Sequence, residues 1–250
     1  MNLLTIDIGN SRCKICSGPI KEGFPAKKVL NMTPTGLEQY LDGSSNPEAC
    51  LVSSVRSDTG QSVRLILEKR FSANSLFFLD SRTSPLPLDI ASPETLGSDR
   101  IAAAFAAYLR VQRSTIVVDA GTALTIDLVN DQGVFCGGTI FPGILLQLDS
   151  LHRQTDQLPR LDWDPEQVPP LLGKKTEQAI RSGVFWSQVG GMERIVSNLA
   201  GTCPDIPIFV SGGCGQPLLQ ASSLKGEYIE NLVLRGLWEI GVRRARQQAD

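Results

Sequence analysis

A chain of 250 residues with 42% hydrophobic content can bury a sizeable core, as one large domain or as two lobes. Its formal net charge of −2 and isoelectric point near 5.6 argue against nucleic acid as a partner, since the short basic cluster Arg243 to Arg246 suits a solvated helix end. The opening MNLLTIDIG has no charged leader and meets Asp7 before a long apolar run develops, so the expectation is a cytoplasmic protein without a membrane span.

Leu3 to Ile15, LLTIDIGNSRCKI, reads as a strand, Asp7, one apolar residue, Gly9, polar Asn10 and Ser11, then a second strand. Of six cysteines only Cys13 and Cys16 form a CxxC. Positions three apart on a strand face opposite sides, so buried free thiols are expected rather than a zinc or redox pair. The segment to Val29 should add an edge strand, and Pro34 to Leu41 a short helix introduced by Thr33. Ala49 to Val55 is an apolar strand. Asp58 and Thr59 can cap a helix running to Arg70 with Val63, Ile66 and Leu67 on one face, and Asn74 to Leu79 returns as a strand.

Ser84 to Pro93 is a proline-rich connecting loop. Leu96 to Arg110 follows as an alanine-rich helix with Ser98 as its expected N-cap and Asp99 and Arg100 in its first turn. An aspartate there complements the helix dipole by about 0.3–1 kcal/mol. A cation does not, unless it meets an anion, so sequence physics leaves open both helix stabilisation and a ligand contact.

Thr115 to Val129, TIVVDAGTALTIDLV, repeats the first hairpin, with Asp119 in place of Asp7, Gly121 beyond it, and Thr122 and Thr125 as hydroxyls. Alone it reads as an ordinary β-turn; repeated, it suggests two α/β lobes, 1–112 and 113–250, facing a shared nucleotide cleft. Glycine-relieved turns present N–H groups to phosphate oxygens, and the aspartates can hold the accompanying cations. After a turn at Asn130 to Gly133, a strand from Val134 to Cys136 leads into GGTIFPGI, whose glycines and Pro-Gly step indicate backbone packed tightly against a neighbour or a ligand, with a structural corner accounting for the glycines almost as well. The single histidine, His152, sits in a polar helix end or loop, so acid-base chemistry falls to carboxylates. Past an irregular stretch from Leu158 to Pro170, Thr176 opens and caps a long helix in which Gly183, Gly190 and Gly191 should allow close contacts or a bend. Ile206 to Ser211 is a strand ending in SGGCG, a turn suited to a purine or ribose contact, and Asn231 to Gln248 is the last helix.

Taken in order, DIGNSRCK, LGSDR, DAGTALT, GGTIFPG, GKKT with SGVF behind it, and SGGCG resemble the type III pantothenate kinases over essentially the whole chain. The resemblance implies an α/β fold of the actin-like, sugar-kinase-like (ribonuclease H-like) kind, two duplicated lobes around a nucleotide cleft, in a homodimer. It also implies ATP-dependent phosphorylation of pantothenate to 4'-phosphopantothenate, the first step of coenzyme A biosynthesis. Asp7, Ile8, Gly9, Asn10, Ser11, Arg12, Cys13 and Lys14 match the family's first phosphate loop. There Asp7 would face the metal-phosphate, Asn10 and Ser11 would contact phosphate, and Lys14 would supply a positive charge. Gly97, Ser98, Asp99 and Arg100 match its pantothenate-binding segment, Asp99 as proton acceptor and Arg100 as a hold on the acidic substrate. Thr122 matches an ATP-phosphate contact, Thr176 a substrate contact, and Asp119 the ligand of a monovalent cation, K+ or NH4+, with Mg2+ or another divalent ion accompanying ATP. Ile90 departs from the family, many of whose members carry a tyrosine there, and it offers no hydroxyl to the substrate. Two other readings remain: a regulatory accessory factor of the same fold, and a related kinase with another small acceptor. The joint presence of Lys14, Asp99, Arg100 and Asp119 weighs against the first.

Overall fold

Period-two alternation sets the first sheet in the computed structural model, which describes residues 1–9, 13–26, 29–43, 47–54, 58–201 and 205–247. β1 (Asn2–Ile8) turns Leu4, Ile6 and Ile8 to one side and Leu3, Thr5 and Asp7 to the other, so one strand serves two layers. It pairs antiparallel with β2 (Cys13–Pro19), which pairs antiparallel with the edge strand β3 (Leu30–Met32). On its other side β1 runs parallel to β4 (Ala49–Ser54), and β4 runs parallel to β5 (Leu76–Phe78). The edge strand therefore lies beyond Val29; the segment before it turns through a 3-10 helix at Ile20–Glu22 instead. Val55, expected to end β4, lies outside the described residues.

Two helices, α1 (Pro34–Gly43) and α2 (Asp58–Arg70), bring Leu37, Leu41, Val63 and Leu67 onto Leu4, Ile6, Ile8, Ile15 and Val52. Cys13 and Cys16 are buried free thiols, and each donates to a different carbonyl, Met32 O at 3.3 Å and Pro25 O at 3.4 Å. After the proline-rich loop, α3 (Ser98–Val111) buries Ser98 and the run from Ile101 to Ala107.

A second sheet repeats the first strand for strand. β6 (Thr115–Ala120) pairs antiparallel with β7 (Ala123–Val129), β7 antiparallel with β8 (Phe135–Pro142), β6 parallel with β9 (Ile208–Ser211), and β9 parallel with β10 (Glu227–Tyr228). The orders β3-β2-β1-β4-β5 and β8-β7-β6-β9-β10 are one topology built twice. The GGTIFPG stretch is strand through Pro142, not a corner, and its backbone is tightly packed as the glycines indicated, a Cβ on Gly138 standing 2.1 Å from Ile126 O; a bulge opposite Leu128, where Gly137 takes φ 95°, absorbs the extra residue.

α4 (Ile144–Arg153) and α5 (Thr176–Ala200) cover this sheet, with α6 (Gly215–Ala221) beside β9. Helical spacing puts Phe185, Val189, Met192 and Val196 of α5 on Ile116, Val118, Leu124 and Ile126. Trp163 stacks on Phe185 with ring centroids 5.4 Å apart, and the edge of Trp186 meets the same ring at 5.2 Å. Among the described residues a Cβ on Gly183 or Gly190 would meet nothing within 4 Å, and one on Gly191 would stand 3.9 Å from the Phe141 ring, an ordinary contact.

The last helix, α7 (Leu232–Gln247), goes back to the first sheet. Trp238 is fully buried with Leu3 and Val242 on the face of β1 that α1 and α2 leave open, and Phe24 meets it edge-on at 6.1 Å. The chain thus divides into a first unit, Met1–Arg110 with Asn231–Asp250, and a second, Val111–Glu230, whereas the sequence division placed 231–250 with the second half. Among the described residues no helix is long and apolar enough to cross a membrane.

Candidate active site

In the first unit Asp7 stands one residue from the end of β1, paired with Lys14 on β2 and with Ser53 on β4. Directly paired residues share a face of the sheet, so a carboxylate, an ammonium and a hydroxyl lie on one side at the strand ends. Asn10, Ser11 and Arg12 of the matched loop lie outside the described residues. Ile8 and Cys13 send their side chains into the core, which leaves only their backbone to a ligand. Burial pushes the Cys13 thiol up, and the neighbouring Asp7 charge adds to the shift, so this cysteine stays a neutral core residue.

At the entry to α3, Gly97 rather than Ser98 takes the cap position: its carbonyl accepts the Ile101 N–H at 3.2 Å. Ser98, the expected N-cap, is 6% exposed and turns its hydroxyl to β4. It accepts the Ser54 N–H at 3.1 Å and lies 3.0 Å from the Ser53 hydroxyl. The serine pair ties the first turn of α3 to the strand beside Asp7. Asp99 follows, half-buried, with Oδ1 accepting the Arg100 N–H at 2.9 Å. The carboxylate folds back over Gly97 so closely that a Cβ there would stand 2.3 Å from Oδ1. A side chain in place of the glycine of G-x-D-R would push this carboxylate out of its position.

The second unit repeats the arrangement around Asp119, paired with Thr125 on β7 and with Ser211 on β9. Gly212 wraps this strand end at φ 90°; a Cβ on it would meet Ala120 O at 2.4 Å and Asp119 Oδ1 at 2.6 Å, so only glycine fits. Tyr228 donates its hydroxyl to Gly212 O at 3.2 Å. Burial pushes that phenol up, and the negative charges of Glu230 and Asp119 push it further. Ser53 and Ser211 occupy the same place in the two copies, both buried, each beside the aspartate of its own sheet. Sequence reasoning passed over Ser53; the signal was the repeated Val-Ser that ends the inner parallel strand, VSS after β1 and VSG after β6.

Thr122 is exposed on the hairpin turn, and its carbonyl accepts the Gly143 N–H at 2.9 Å. A Cβ on Gly143 would come within 2.3 Å of Gly121 O and 2.6 Å of Thr122 O, so the Pro-Gly step seats that turn by close backbone packing. Thr176 is exposed as the first residue of α5 and does not cap it; Lys175 holds the cap position, its carbonyl accepting the Ala179 N–H at 2.9 Å. His152 is exposed in the last turn of α4, its Nδ1 2.9 Å from Leu158 O, as its polar setting implied.

A five-stranded order built twice, with an aspartate at the tip of the leading strand in each copy, defines the actin-like, sugar-kinase-like class of duplicated α/β proteins. Solved structures agree on the fold. A Campylobacter jejuni protein assigned to the Baf family of transcriptional activators superposes with a TM-score of 0.64 at 23% identity, covering 97% of this chain and 99% of its own. A Sinorhizobium meliloti protein described as a 2-dehydro-3-deoxygalactonokinase reaches 0.58 at 12% identity, covering 97% and 96%. The chain belongs to the type III pantothenate kinase family, whose model matches residues 3–198. A type III pantothenate kinase of Chlorobaculum parvum is 36% identical over 251 residues, 94% of this chain and 92% of that protein.

Proposed function

We propose that this chain transfers the γ-phosphoryl group of ATP to the primary hydroxyl of pantothenate, giving 4'-phosphopantothenate for coenzyme A biosynthesis. The observation that carries the reading is the Asp99 carboxylate in the first turn of α3, held over Gly97 by the Arg100 N–H, in a chain of this family. Phosphoryl transfer passes through a loose transition state, so the protein has mainly to position the reactants and neutralise charge. Asp99 orients the acceptor hydroxyl and takes its proton late in the transfer, with the helix dipole complementing the negative charge. Arg100 answers the carboxylate of pantothenate, and Thr176 adds a substrate contact.

In the first unit Asp7 and the loop of Gly9, Asn10, Ser11 and Lys14 receive the phosphates, and in the second the Thr122 hydroxyl does so. The Asp7 carboxylate fits Mg2+, which arrives with nucleotide phosphates and keeps several waters. K+ or NH4+ belongs beside Asp119, where paired Thr125 and Ser211 supply further oxygens on the same face of the sheet. A homodimer is the expected assembly, supported by apolar side chains that the second unit leaves bare, Leu171 at 74% and Leu172 at 79% exposed among them. With ATP as donor, the setting is the cytoplasm.

The test is ADP release by the purified chain with and without pantothenate, in potassium and then in sodium buffer. Pantothenate-dependent release, faster in potassium, is expected. Asp99→Asn should lower turnover by about 10²-fold or more with the fold intact. Release that ignores pantothenate would move the acceptor elsewhere, and near-normal turnover in the variant would take Asp99 out of the mechanism.

A further inference from the structure

Gly212 and Gly213 stand side by side in the turn that leaves β9, and the peptide between two glycines is sterically the freest to rotate. Here its orientation matters. Gly212 holds φ 90° against the end of β6, where a Cβ would stand 2.6 Å from Asp119 Oδ1 and 2.4 Å from Ala120 O. Rotation of that peptide would carry the turn away from the carboxylate it wraps.

Two hydrogen bonds hold it. Gly212 O accepts the Gly215 N–H at 3.1 Å and the Tyr228 hydroxyl at 3.2 Å. The first already gives the carbonyl a partner, so satisfying a buried polar group does not require the second. Packing does not require it either. The ring of Tyr228 closes on Gly215, where a Cβ would stand 3.2 Å from Cε2, and a phenylalanine ring would fill that place equally well. What the hydroxyl adds is a second anchor on the orientation of the Gly212 peptide.

The first unit carries a matching tether made of other residues. Ser53 and Ser211 occupy equivalent register positions beside Asp7 and Asp119. The residue after each is tied by a hydroxyl from a neighbouring element: Ser98 of α3 accepts the Ser54 N–H at 3.1 Å, and Tyr228 of β10 donates to Gly212 O. Unlike side chains thus fix the same strand end in both copies, beside the aspartate each time.

We propose that Tyr228 is a positioning residue for Asp119, its hydroxyl holding the Gly212 turn so that the carboxylate keeps the place where a monovalent cation binds, an assignment that rests on the reading of Asp119 as the ligand of K+ or NH4+. Tyr228→Phe keeps the ring on Gly215 and removes only the hydroxyl. The dissociation constant for K+ is read, with ADP and magnesium present, from the rise in thermal midpoint as KCl replaces choline chloride at constant ionic strength. The unmodified chain should respond and Asp119→Ala should not. In Tyr228→Phe the constant should increase about three- to tenfold, the loss of one hydrogen bond. Leu219→Ala, which trims apolar packing on α6, should lower the midpoint and leave the constant where it was. In the ADP-release assay the K+ concentration for half-maximal rate should rise in Tyr228→Phe by the same factor while the KM for pantothenate holds. An unchanged K+ constant in Tyr228→Phe, beside a response that Asp119→Ala abolishes, would overturn the role of Tyr228 and leave the cation site standing. An equal shift in Leu219→Ala would reduce the effect to general loosening and overturn it as well. No response to K+ in the unmodified chain would remove the cation site and the role of Tyr228 together.

Discussion

At Gly97 a single hydrogen in place of a methyl group decides where a carboxylate sits. A Cβ would meet Asp99 Oδ1 at 2.3 Å and no backbone atom, so Gly97→Ala should displace the carboxylate while leaving α3 standing. Turnover should drop by about 10²-fold, the usual cost of misplacing a reacting group by an ångström, with the thermal midpoint nearly unchanged. Kinetics and a melting curve on one preparation check both halves; a collapsed fold would show that the glycine serves the backbone. Ser53 acts one step further away. Removing its hydroxyl takes one partner from buried Ser98 and loosens the tie between α3 and the strand beside Asp7. Ser53→Ala should cost about 1 kcal/mol of stability and lower kcat while the KM for ATP holds. Equal loss in both constants would point to general damage. Asp7, Asp99 and Asp119 were visible as candidates in the sequence because Asp7 and Asp119 each fall two residues before a glycine at the end of an apolar run and Asp99 two residues after Gly97 at a helix entry. Ser53 was not, since a serine closing an apolar strand looks like any strand end until the register sets it beside Asp7.

Among elements, the two kinds of glycine in the second unit should respond in opposite directions. Gly143 packs on the carbonyls of Gly121 and Thr122, backbone that cannot swing aside, so Gly143→Ala should destabilise by about 1–3 kcal/mol and disturb the Thr122 turn. A Cβ on Gly183, mid-helix on α5, would meet nothing within 4 Å among the described residues. Gly183→Ala should therefore gain about 0.5–1 kcal/mol from helix propensity, read as a rise of a few degrees in the thermal midpoint. A fall instead would show that a second chain packs against this face. Periodicity marked α5 but not the partners of its glycines, because sequence spacing names the face of a helix and not what covers it. The run from Gly137 to Pro142 has the close backbone packing its glycines indicated, at Gly138 against Ile126 O, but not the corner that was the other reading. Glycines and a proline signal a corner locally, whereas here they serve a bulge and a close turn at the end of a strand paired with β7 along its length.

For the whole molecule, the buried thiols report on folding. Burial raises the pKa of Cys13, Cys50 and Cys214, and Cys13 and Cys50 are fully buried, so iodoacetamide should leave those two unlabelled in the native chain at pH 8 and label them once denaturant is added, as mass spectrometry of the peptides would show. The same shifts set a pH trend. Above about pH 8.5 the unfolded chain releases these protons and the folded chain keeps them, so stability should decline as pH rises past that point. Flat stability from pH 7.5 to 10 would contradict the burial of these groups. By itself the amino-acid sequence determined that there are two copies of a strand-Asp-x-Gly hairpin, that the chain alternates strands and helices, and that its motifs are those of one kinase family. These are local properties, written in the two-residue and 3.6-residue periods and in turn chemistry. Only the tertiary structure decided that α7 returns to the first sheet, that Ser98 clamps β4 instead of capping α3, and that Arg110 of α3 shares one cavity with three arginines of α7. Each of those depends on which buried surface finds which partner. Trp238 needs the open face of β1 whatever its distance along the chain, and no local pattern carries that information.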